Sequence, residues 1–515
     1  MGISTVVGAI GLLAAIGVFL SNFLRIKVDP REPPVVHPSI PLLGHIIGML
    51  TEGPLYLKKI SEKCKQPIFT MPMLNDRTYV VTSPPLAMAV QRAAATLDFD
   101  QLVVEMTPRM FGLSAETKHI LQDPTAKQEG RERMVTRSHY IITPALGPQK
   151  VREIAETQLN LFGKQISDIE DGMETELFRY ITRGLTKTSM QTFYGPENPF
   201  ALHPELVESF WDWETGAVAY MVNVLPKITA RKAYYGLEAC VKGFVEYFEN
   251  GRGNQALTML QDRKKMHEDE GISLYEHCRL EMAFSFAISS NAGITSFWVV
   301  NNIFSRPELV SQIREEISAN ALVAPGTISA SRLKDSCPLL SSVYRETMRI
   351  TAPMASARFV LEDTILADTY LLRKNTTVQI AGGVMHADGD IWGPDVSSFN
   401  ARRFMHNLNG SKSNADGSVP EGKANAIHPA AFRAFGGGSS LCPGRHFAQA
   451  EISGLVALLV LGFDLLPVEG AQKVQWDPPR DDKRFPLSVT KPLREVRVKM
   501  QRRKGMEDVK WVFTQ

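Results

Sequence analysis

The sequence predicts a mainly α-helical fold with small β-sheets, preceded by an N-terminal transmembrane helix. Apolar residues between 45 and 280 recur mostly at helical spacing, and residues 279–305 form a long apolar run without proline. Residues 357–382 alternate in polarity, as short strands do, and further short strands are expected after Gly462. With 515 residues, 44% of them apolar, the chain can bury a large core.

The N-terminal segment has the composition of a membrane anchor. Residues 6–24 are almost entirely apolar and long enough to cross the hydrocarbon core of a bilayer. Arg25 and Lys27 follow, whereas no basic residue precedes the segment, so we expect its C-terminal side to face the cytosol. A cleaved signal peptide is the alternative, but it would need a basic region at its start. We therefore predict that residues 1–27 are a retained anchor.

A proline-rich hinge is predicted to follow the anchor over residues 28–45, and a single catalytic domain over residues 46–515. The hinge contains Pro30, Pro33, Pro34, Pro38 and Pro41. Proline fixes the backbone in an extended form and cannot continue a helix. We therefore expect a stiff spacer between the membrane and the globular domain.

Charge and cysteine usage exclude several classes of protein. The formal net charge of +2 and the lack of basic runs interleaved with aromatic residues argue against nucleic-acid binding. The five cysteines are far apart and form no CxxC pair. This spacing disfavours a disulfide framework and a zinc site, and it fits a reducing compartment.

A glycine-rich loop at residues 435–444 carries Cys442 directly into an apolar helical pattern. A cysteine at a helix N-terminus lies near unpaired N–H donors and the positive end of the helix dipole, which favour the thiolate. A phosphate-binding loop is disfavoured because no Gly-Lys-Ser/Thr follows. An ordinary turn with a buried cysteine and a haem-thiolate loop both remain possible from this loop alone.

A predicted helix over residues 339–350 places Glu346 and Arg349 on one face. Such a pair is usually a surface ion pair of little energetic value. Its neighbours are apolar, however, and a buried arginine would need further partners. Arg403 is the candidate for a third member of this group.

Small and polar residues interrupt the apolar helix of residues 279–305 at positions 289–296. Small side chains would let a flat group approach, and polar ones would line a wet pocket. The alternative is a notch for helix–helix packing. Asn291 and Thr295 lie one turn apart in this segment and are the candidate catalytic side chains.

Taken together, these motifs resemble those of the cytochrome P-450 family. The family's ligand loop runs Phe-x-x-Gly-x-x-x-Cys-x-Gly with an alanine four residues on, and the matching residues are Phe435, Gly438, Cys442, Gly444 and Ala448. Its Glu-x-x-Arg helix matches Glu346 and Arg349, and its following Arg-Phe motif matches Arg403. The resemblance spans nearly the whole chain in the same order.

The resemblance implies a haem b cofactor with Cys442 as the axial iron ligand and with Phe435, Gly438 and Gly444 shaping the loop around it. It implies a buried structural network of Glu346, Arg349 and Arg403. The family's usual basic residue two positions before the cysteine is replaced by Ser440. Propionate binding is therefore expected to depend on the residues Arg358, Arg137 and His139.

Finer features resemble the branch that includes cholesterol 7α-hydroxylase and prostacyclin synthase. Asn291 stands where most members carry a threonine, and Ser290 before it is no acid. We expect Asn291 to hold a water or a substrate hydroxyl, with Thr295 as a lesser participant. The resemblance implies a bulky, largely apolar substrate such as a sterol, a terpenoid or a polycyclic metabolite.

The function implied is an oxygen insertion that uses O2 and electrons from a separate NADPH-dependent flavoprotein reductase, docked on basic residues of the 131–152 region. The expected location is the endoplasmic reticulum membrane, with a single span in the lipid bilayer and the catalytic domain in the cytosol. One alternative is a haem-thiolate isomerase or dehydratase that needs no external electrons. The other is a haem-binding protein without turnover.

Overall fold

The computed structural model describes residues 28–38, 40, 43–73, 76–126, 128–405, 427–485, 487 and 489–515. The predicted membrane anchor, residues 1–27, lies outside the described residues. Within them the chain forms one helical body with small sheets at its edges, which confirms the predicted mainly α class.

The helices are α1 (Gly44–Glu52), α2 (Pro54–Cys64), α3 (Pro84–Arg92), α4 (Asp100–Phe111), α5 (Ala115–Gln122), α6 (Met134–Ala145), α7 (Val151–Ser167), α8 (Leu177–Tyr194), α9 (Pro199–Leu202), α10 (Leu206–Val222), α11 (Pro226–Thr229), α12 (Arg231–Glu249), α13 (Thr258–Asp269), α14 (Leu274–Phe304), α15 (Pro307–Asn320), α16 (Ala330–Asp335), α17 (Pro338–Thr351), α18 (Gly382–His386), α19 (Gly389–Trp392) and α20 (Arg445–Gly462). The strands are β1 (Ile68–Pro72), β2 (Arg77–Val81), β3 (Leu97–Asp98), β4 (Met173–Glu176), β5 (Leu322–Ala324), β6 (Thr327–Ser329), β7 (Ala355–Val360), β8 (Thr364–Leu366), β9 (Tyr370–Leu372), β10 (Thr377–Ala381), β11 (Phe463–Leu466), β12 (Arg497–Arg502) and β13 (Val512–Thr514).

Helix α14 runs through the centre of the molecule. Its N-terminus is capped by Ser273, whose side chain accepts a hydrogen bond from the backbone N–H of Glu276. It packs against α8, α12, α17 and α20. Among the described helices it alone is long and apolar enough to cross a membrane by length and composition, yet most of its side chains are buried in the protein. This burial identifies it as a core helix, as the proline-free pattern predicts.

The largest sheet has the strand order β1-β2-β10-β7-β3. Strand β10 lies parallel to β2 and antiparallel to β7, with Thr377 opposite Thr78 on one side and Phe359 on the other. This pairing brings residues 355–381 beside the N-terminal part of the chain. It also places α18, which follows β10 directly, against the end of α17.

The proline-rich segment is docked on this sheet. The N–H of Val36 donates to the carbonyl of Thr70 at 2.9 Å, and the N–H of Thr70 donates to the carbonyl of Pro34 at 2.8 Å. Glu32 is buried, and one of its oxygens accepts from the Tyr79 hydroxyl at 2.6 Å. Residues 32–36 are therefore part of the globular body, because an extended proline segment can still pair at the edge of a sheet.

Candidate active site

A cavity of about 410 Å³ lies between α14 and the loop that precedes α20. Its size is within the usual range for ligand pockets. Cys442 lies on the loop wall, and Asn291 and Thr295 lie on the α14 wall. Most of the remaining lining is apolar, with side chains from α4, α6, α14 and α17. The structure therefore brings the predicted cysteine and the predicted catalytic residues to one cavity.

The loop holds Cys442 by backbone geometry. The Cys442 N–H donates to the carbonyl of Phe435 at 3.0 Å. Gly436 and Gly438 have φ values of 73° and 63°, which only glycine adopts at little cost. Burial raises the pKa of the Cys442 thiol, while the N–H of Gly444 and the charge of Arg445 act in the opposite direction. A metal ion bound to the sulfur would override the burial effect, since coordination deprotonates a thiol.

Gly437 and Gly438 make room for two polar side chains. A Cβ at Gly437 would lie 2.3 Å from the Gln91 side chain and 2.7 Å from the Arg433 guanidinium, and a Cβ at Gly438 would lie 2.9 Å from Gln91. Gly438 itself does not line the cavity, whereas Phe435 and Gly444 do. The glycine run thus packs closely against Gln91 and Arg433.

Glu346, Arg349 and Arg403 form one buried network. Arg349 donates through Nε and Nη2 to both carboxylate oxygens of Glu346 at 2.8 Å, and Arg403 Nε donates to both at 3.1 Å. Glu346 also accepts from the backbone N–H of Asn400 at 3.1 Å. Two buried guanidiniums share one carboxylate here, and backbone carbonyls accept most of their remaining hydrogen bonds.

His386 connects this network to the cavity. Arg349 Nη1 donates to the carbonyl of His386 at 2.7 Å, and the Nε2 atom of His386 accepts from the backbone N–H of Arg433 at 2.8 Å. Burial and the charges of Arg349 and Arg433 lower the pKa of His386 to about 3. The imidazole is therefore neutral and fixes the backbone at Arg433, which lines the cavity.

Two buried guanidiniums near Cys442 lack a carboxylate partner among the described residues. Arg358 donates to the hydroxyls of Ser440 and Ser356. Arg433 donates through both terminal nitrogens to the side-chain oxygen of Gln91, once the Gln91 amide is turned to match. The Nε atom of Arg433 is buried and has no hydrogen-bond partner within the described part of the chain. Burial and the charge of Arg358 lower the pKa of Arg433 to about 10. Two buried cations without a carboxylate at ion-pair distance among the described residues, beside a cavity with a cysteine, match the two propionates of a haem, so the residues present fit this group.

Asn291 is tied to a distant part of the chain. Its Oδ1 atom accepts from the backbone N–H of Val489 at 3.0 Å, which leaves its amide nitrogen as the group available to the cavity. The neighbouring Ser290 points elsewhere and donates to Glu214 of α10 at 3.2 Å. Glu214 also pairs with Lys491, whose pKa is lowered to about 8 by burial. The polar side of α14 is thus organised by α10 and by the C-terminal segment.

Arg137 and His139 lie away from Cys442. Arg137 forms an ion pair with Glu270 at the end of α13. His139 lines a separate small cavity beside the first one. Neither side chain reaches the cavity that contains Cys442, because α6 turns this face toward α13.

Sequence reasoning missed three residues on or behind the cavity wall. Arg433 and His386 gave no motif signal, since their contacts depend on the pairing of β10 with β2 and β7. Glu451 is buried on the cavity wall, accepts from Gln158 at 2.7 Å, and has its pKa raised well above the usual value by burial. A lone glutamate in the otherwise apolar pattern of α20 was the only sign of it.

Comparisons with known proteins agree with this geometry. The sequence model of the family described as Cytochrome P450 matches residues 33–482. The chain is 30% identical to "Cytochrome P450 monooxygenase nodJ" of Hypoxylon pulicicidum, over 95% of this chain and 93% of that protein. It is 28% identical to a "Cytochrome P450 monooxygenase" of Gibberella zeae, over 98% and 95% of the two chains. It is 24% identical to the "5-beta-cholestane-3-alpha,7-alpha-diol 12-alpha-hydroxylase" of Sus scrofa, over 96% and 97%. The chain therefore belongs to the cytochrome P450 family of haem-thiolate monooxygenases.

Proposed function

We propose that this protein oxidises a bulky, largely apolar small molecule, using O2 and electrons that a separate NADPH-dependent reductase delivers. The observation that carries this proposal is the cavity itself. Cys442 lies on one wall, a mostly apolar surface forms the rest, and Asn291 and Thr295 are the polar groups on the opposite wall. A haem held on the cysteine supplies the oxygen activation, and the protein supplies binding, orientation and electrostatics.

On the cysteine side, Cys442 is the proposed iron ligand. Arg358 and Arg433 are proposed to bind the two propionates, because both are buried cations without an ion-paired carboxylate among the described residues. Ser440 accepts from Arg358 and donates to the carbonyl of Gly437 at 3.1 Å, so it helps to orient the guanidinium. Glu346, Arg349 and Arg403 hold the chain behind this wall.

On the α14 side, Asn291 is proposed to act as a hydrogen-bond donor to a water or a substrate hydroxyl. Its oxygen is already engaged by Val489, so the amide N–H groups are the part that can serve the cavity. Thr295, one turn on, offers a hydroxyl at the same wall. Neither residue ionises, so no acid at position 291 supplies protons to the cavity.

The substrate class follows from the lining. Side chains such as Phe99, Leu102, Ile288 and Ala292 give the cavity a mostly apolar surface, and Glu451 on its wall already accepts a hydrogen bond from Gln158. Such a surface suits sterol-like, terpenoid or polycyclic skeletons. The named activity of the pig relative, a steroid hydroxylase, supports the same class.

Membrane association is proposed from an exposed apolar patch between α10 and α12. Val222, Val224, Leu225 and Ile228 are each more than half exposed. Contiguous exposed apolar residues on a soluble surface mark an interaction site. Together with the apolar residues 6–24, this patch supports a location on the endoplasmic reticulum membrane.

The reductase is proposed to dock on Lys150 and Arg152, at the start of α7. In the 131–152 region, Arg131, Arg133 and Arg137 are already paired with acidic groups. Lys150 and Arg152 are exposed and make no ion pair among the described residues. They are therefore the basic groups that remain available to an acidic partner.

Turnover of the purified protein with candidate sterols and terpenoids, with and without a reductase and NADPH, tests this function. We expect a product about 16 mass units heavier than the substrate, because a monooxygenase adds one oxygen atom. This product should form only when both the reductase and NADPH are supplied. Product without reductase or NADPH would instead show the isomerase or dehydratase. We keep this alternative because Ser290 and Asn291 replace the acid and the threonine that most members of the family carry at these positions.

A further inference from the structure

A second, smaller cavity of about 220 Å³ lies beside the first one. Helices α4, α5, α6, α13 and α14 enclose it, and Ile142, Phe284 and Ala287 form the wall that the two cavities share. Most of its lining is apolar. Its polar groups include Arg263 and His267 of α13, both almost fully buried.

Arg263 is only partly satisfied. Its Nη1 atom donates to Glu281 at 2.7 Å, and the other oxygen of Glu281 accepts from the Tyr194 hydroxyl at 2.7 Å. The Nε atom of Arg263 is buried and has no partner among the described residues. A guanidinium has five N–H donors in a planar fork, and Nη1 alone is hydrogen-bonded among the described residues, so Arg263 keeps spare donors where it lines the cavity.

The charge at this site is already balanced. Glu281 neutralises Arg263, and the two imidazoles nearby, His267 and His277, share a hydrogen bond of 2.8 Å between their Nδ1 atoms. Burial lowers the pKa of both histidines, so they are neutral. A carboxylate would add an uncompensated buried charge, whereas a neutral acceptor would satisfy a spare donor without one.

A metal ion is a weaker fit for the same cluster. His267, His277 and Glu281 offer three ligand atoms within 4.8 Å of one another. However, both oxygens of Glu281 already accept hydrogen bonds, and the guanidinium of Arg263 lies against one of them. A second cation there would be repelled.

We propose that this side cavity binds an apolar molecule of about one ring in size through a neutral oxygen acceptor, such as a keto or ester oxygen, that Arg263 holds. An apolar cavity of about 150 Å³ accommodates benzene, so the volume here suits a ring with one polar substituent. A separate small molecule and the oxygen-bearing end of an extended substrate present the same chemistry.

The test is a calorimetric titration of the full-length, haem-loaded protein with cyclohexanone, with 4-phenylimidazole present to fill the Cys442 cavity. The wild type should show one saturable site. Ala283→Leu fills the side cavity without touching the ion pair, since Ala283 lines only this cavity, and should abolish binding. Arg263→Lys keeps a charge for Glu281 but loses the spare donors, and should weaken binding about tenfold.

The matched control is Arg279→Lys. Arg279 is a similarly buried arginine on α14, paired with Glu238, and it lines neither cavity. Its affinity for cyclohexanone should equal that of the wild type. Methylcyclohexane and cyclohexanecarboxylate should both bind more weakly than cyclohexanone, the first for lack of an acceptor and the second for its charge.

A long-chain ketone such as 2-dodecanone, without 4-phenylimidazole, separates the two sources. A shift of the haem absorption band that is lost in Ala283→Leu identifies the end of an extended substrate, and simultaneous binding of cyclohexanone identifies a separate molecule. No saturable heat in the wild type would overturn the proposal. So would an affinity for cyclohexanone in Ala283→Leu and Arg263→Lys that equals the wild-type affinity. These measurements need no turnover, so they stand apart from the monooxygenase assay.

Discussion

The two walls of the Cys442 cavity are built in different ways. On the cysteine side, Glu346 pairs with both Arg349 and Arg403, and Asp395 supplies a second carboxylate for Arg403. On the opposite side, Asn291 depends on Val489, which comes from the far end of the chain. The difference suggests that the cysteine wall is a fixed support, while the α14 wall can be adjusted through Val489 of the C-terminal segment, which also lines the cavity.

The largest difference between the walls should appear on removal of the charge of Glu346. Glu346→Gln leaves Arg349 and Arg403 buried without a carboxylate at this position, and we expect a loss of about 3–5 kcal/mol in the free energy of unfolding. Urea denaturation followed by circular dichroism measures it. Glu208→Gln, which affects a half-exposed pair with Arg183, is the control and should cost about 1 kcal/mol or less. Equal losses of unfolding free energy in the two variants would show that the buried network contributes no more than a half-exposed ion pair.

Acid should act on the cysteine wall through His386. Its pKa falls from 6.5 to about 3 in the folded state, so the unfolded chain binds more protons between these values. This residue's contribution to stability is present above about pH 6.5 and is lost as the pH falls toward 3. His386→Gln should flatten the dependence of unfolding free energy on pH over this window. An unchanged slope of unfolding free energy against pH would show that His386 does not cause this pH dependence.

Arg433 should affect the cofactor more than the fold. Arg433→Met removes one of the two buried cations at the cavity, and we expect haem to transfer to apomyoglobin about tenfold faster, since a hydrogen bond to a charged group is lost. Arg345→Met is the control, because Arg345 is a mostly buried arginine that stacks on Phe404 and lines no part of the cavity. Equal haem loss in both variants would indicate a general packing effect.

The smallest change is expected on the α14 wall. Asn291→Ala removes the hydrogen bond to Val489 and should cost about 1 kcal/mol of stability. It should also raise the fraction of NADPH consumed without product, because the amide donor is lost from the cavity. Ser289→Ala is the control, since the Ser289 hydroxyl is buried without a partner among the described residues. If both variants convert the same fraction of the consumed NADPH into product, Asn291 is only a packing residue.

The sequence predicts the cysteine wall better because its signals are local. Glu346 and Arg349 lie three residues apart on one helix, and the loop around Cys442 is a continuous motif, so both can be recognised in a short stretch. Arg433 carries no such signal, because its place beside Arg358 depends on the pairing of β7 with β10.

The α14 wall shows the limit of the same reasoning. The small and polar residues at 289–296 indicate a pocket, but not that Ser290 turns to Glu214 while Asn291 turns to Val489. Those contacts join segments that are far apart in the chain, and the side-chain directions follow from helix packing. For the same reason Arg137, one residue among several basic ones, proves to be paired with Glu270.

We propose that Cys442 holds the haem on which this cavity depends. The absorption spectrum of the reduced, carbon-monoxide-bound protein tests it directly, in the wild type and in Cys442→Ala side by side. We predict the band of a thiolate-ligated haem in the wild type and its complete loss in the variant, with Cys337→Ala, which alters a buried cysteine away from the cavity, unchanged. A thiolate band that survives in Cys442→Ala would contradict the assignment of Cys442 as the iron ligand.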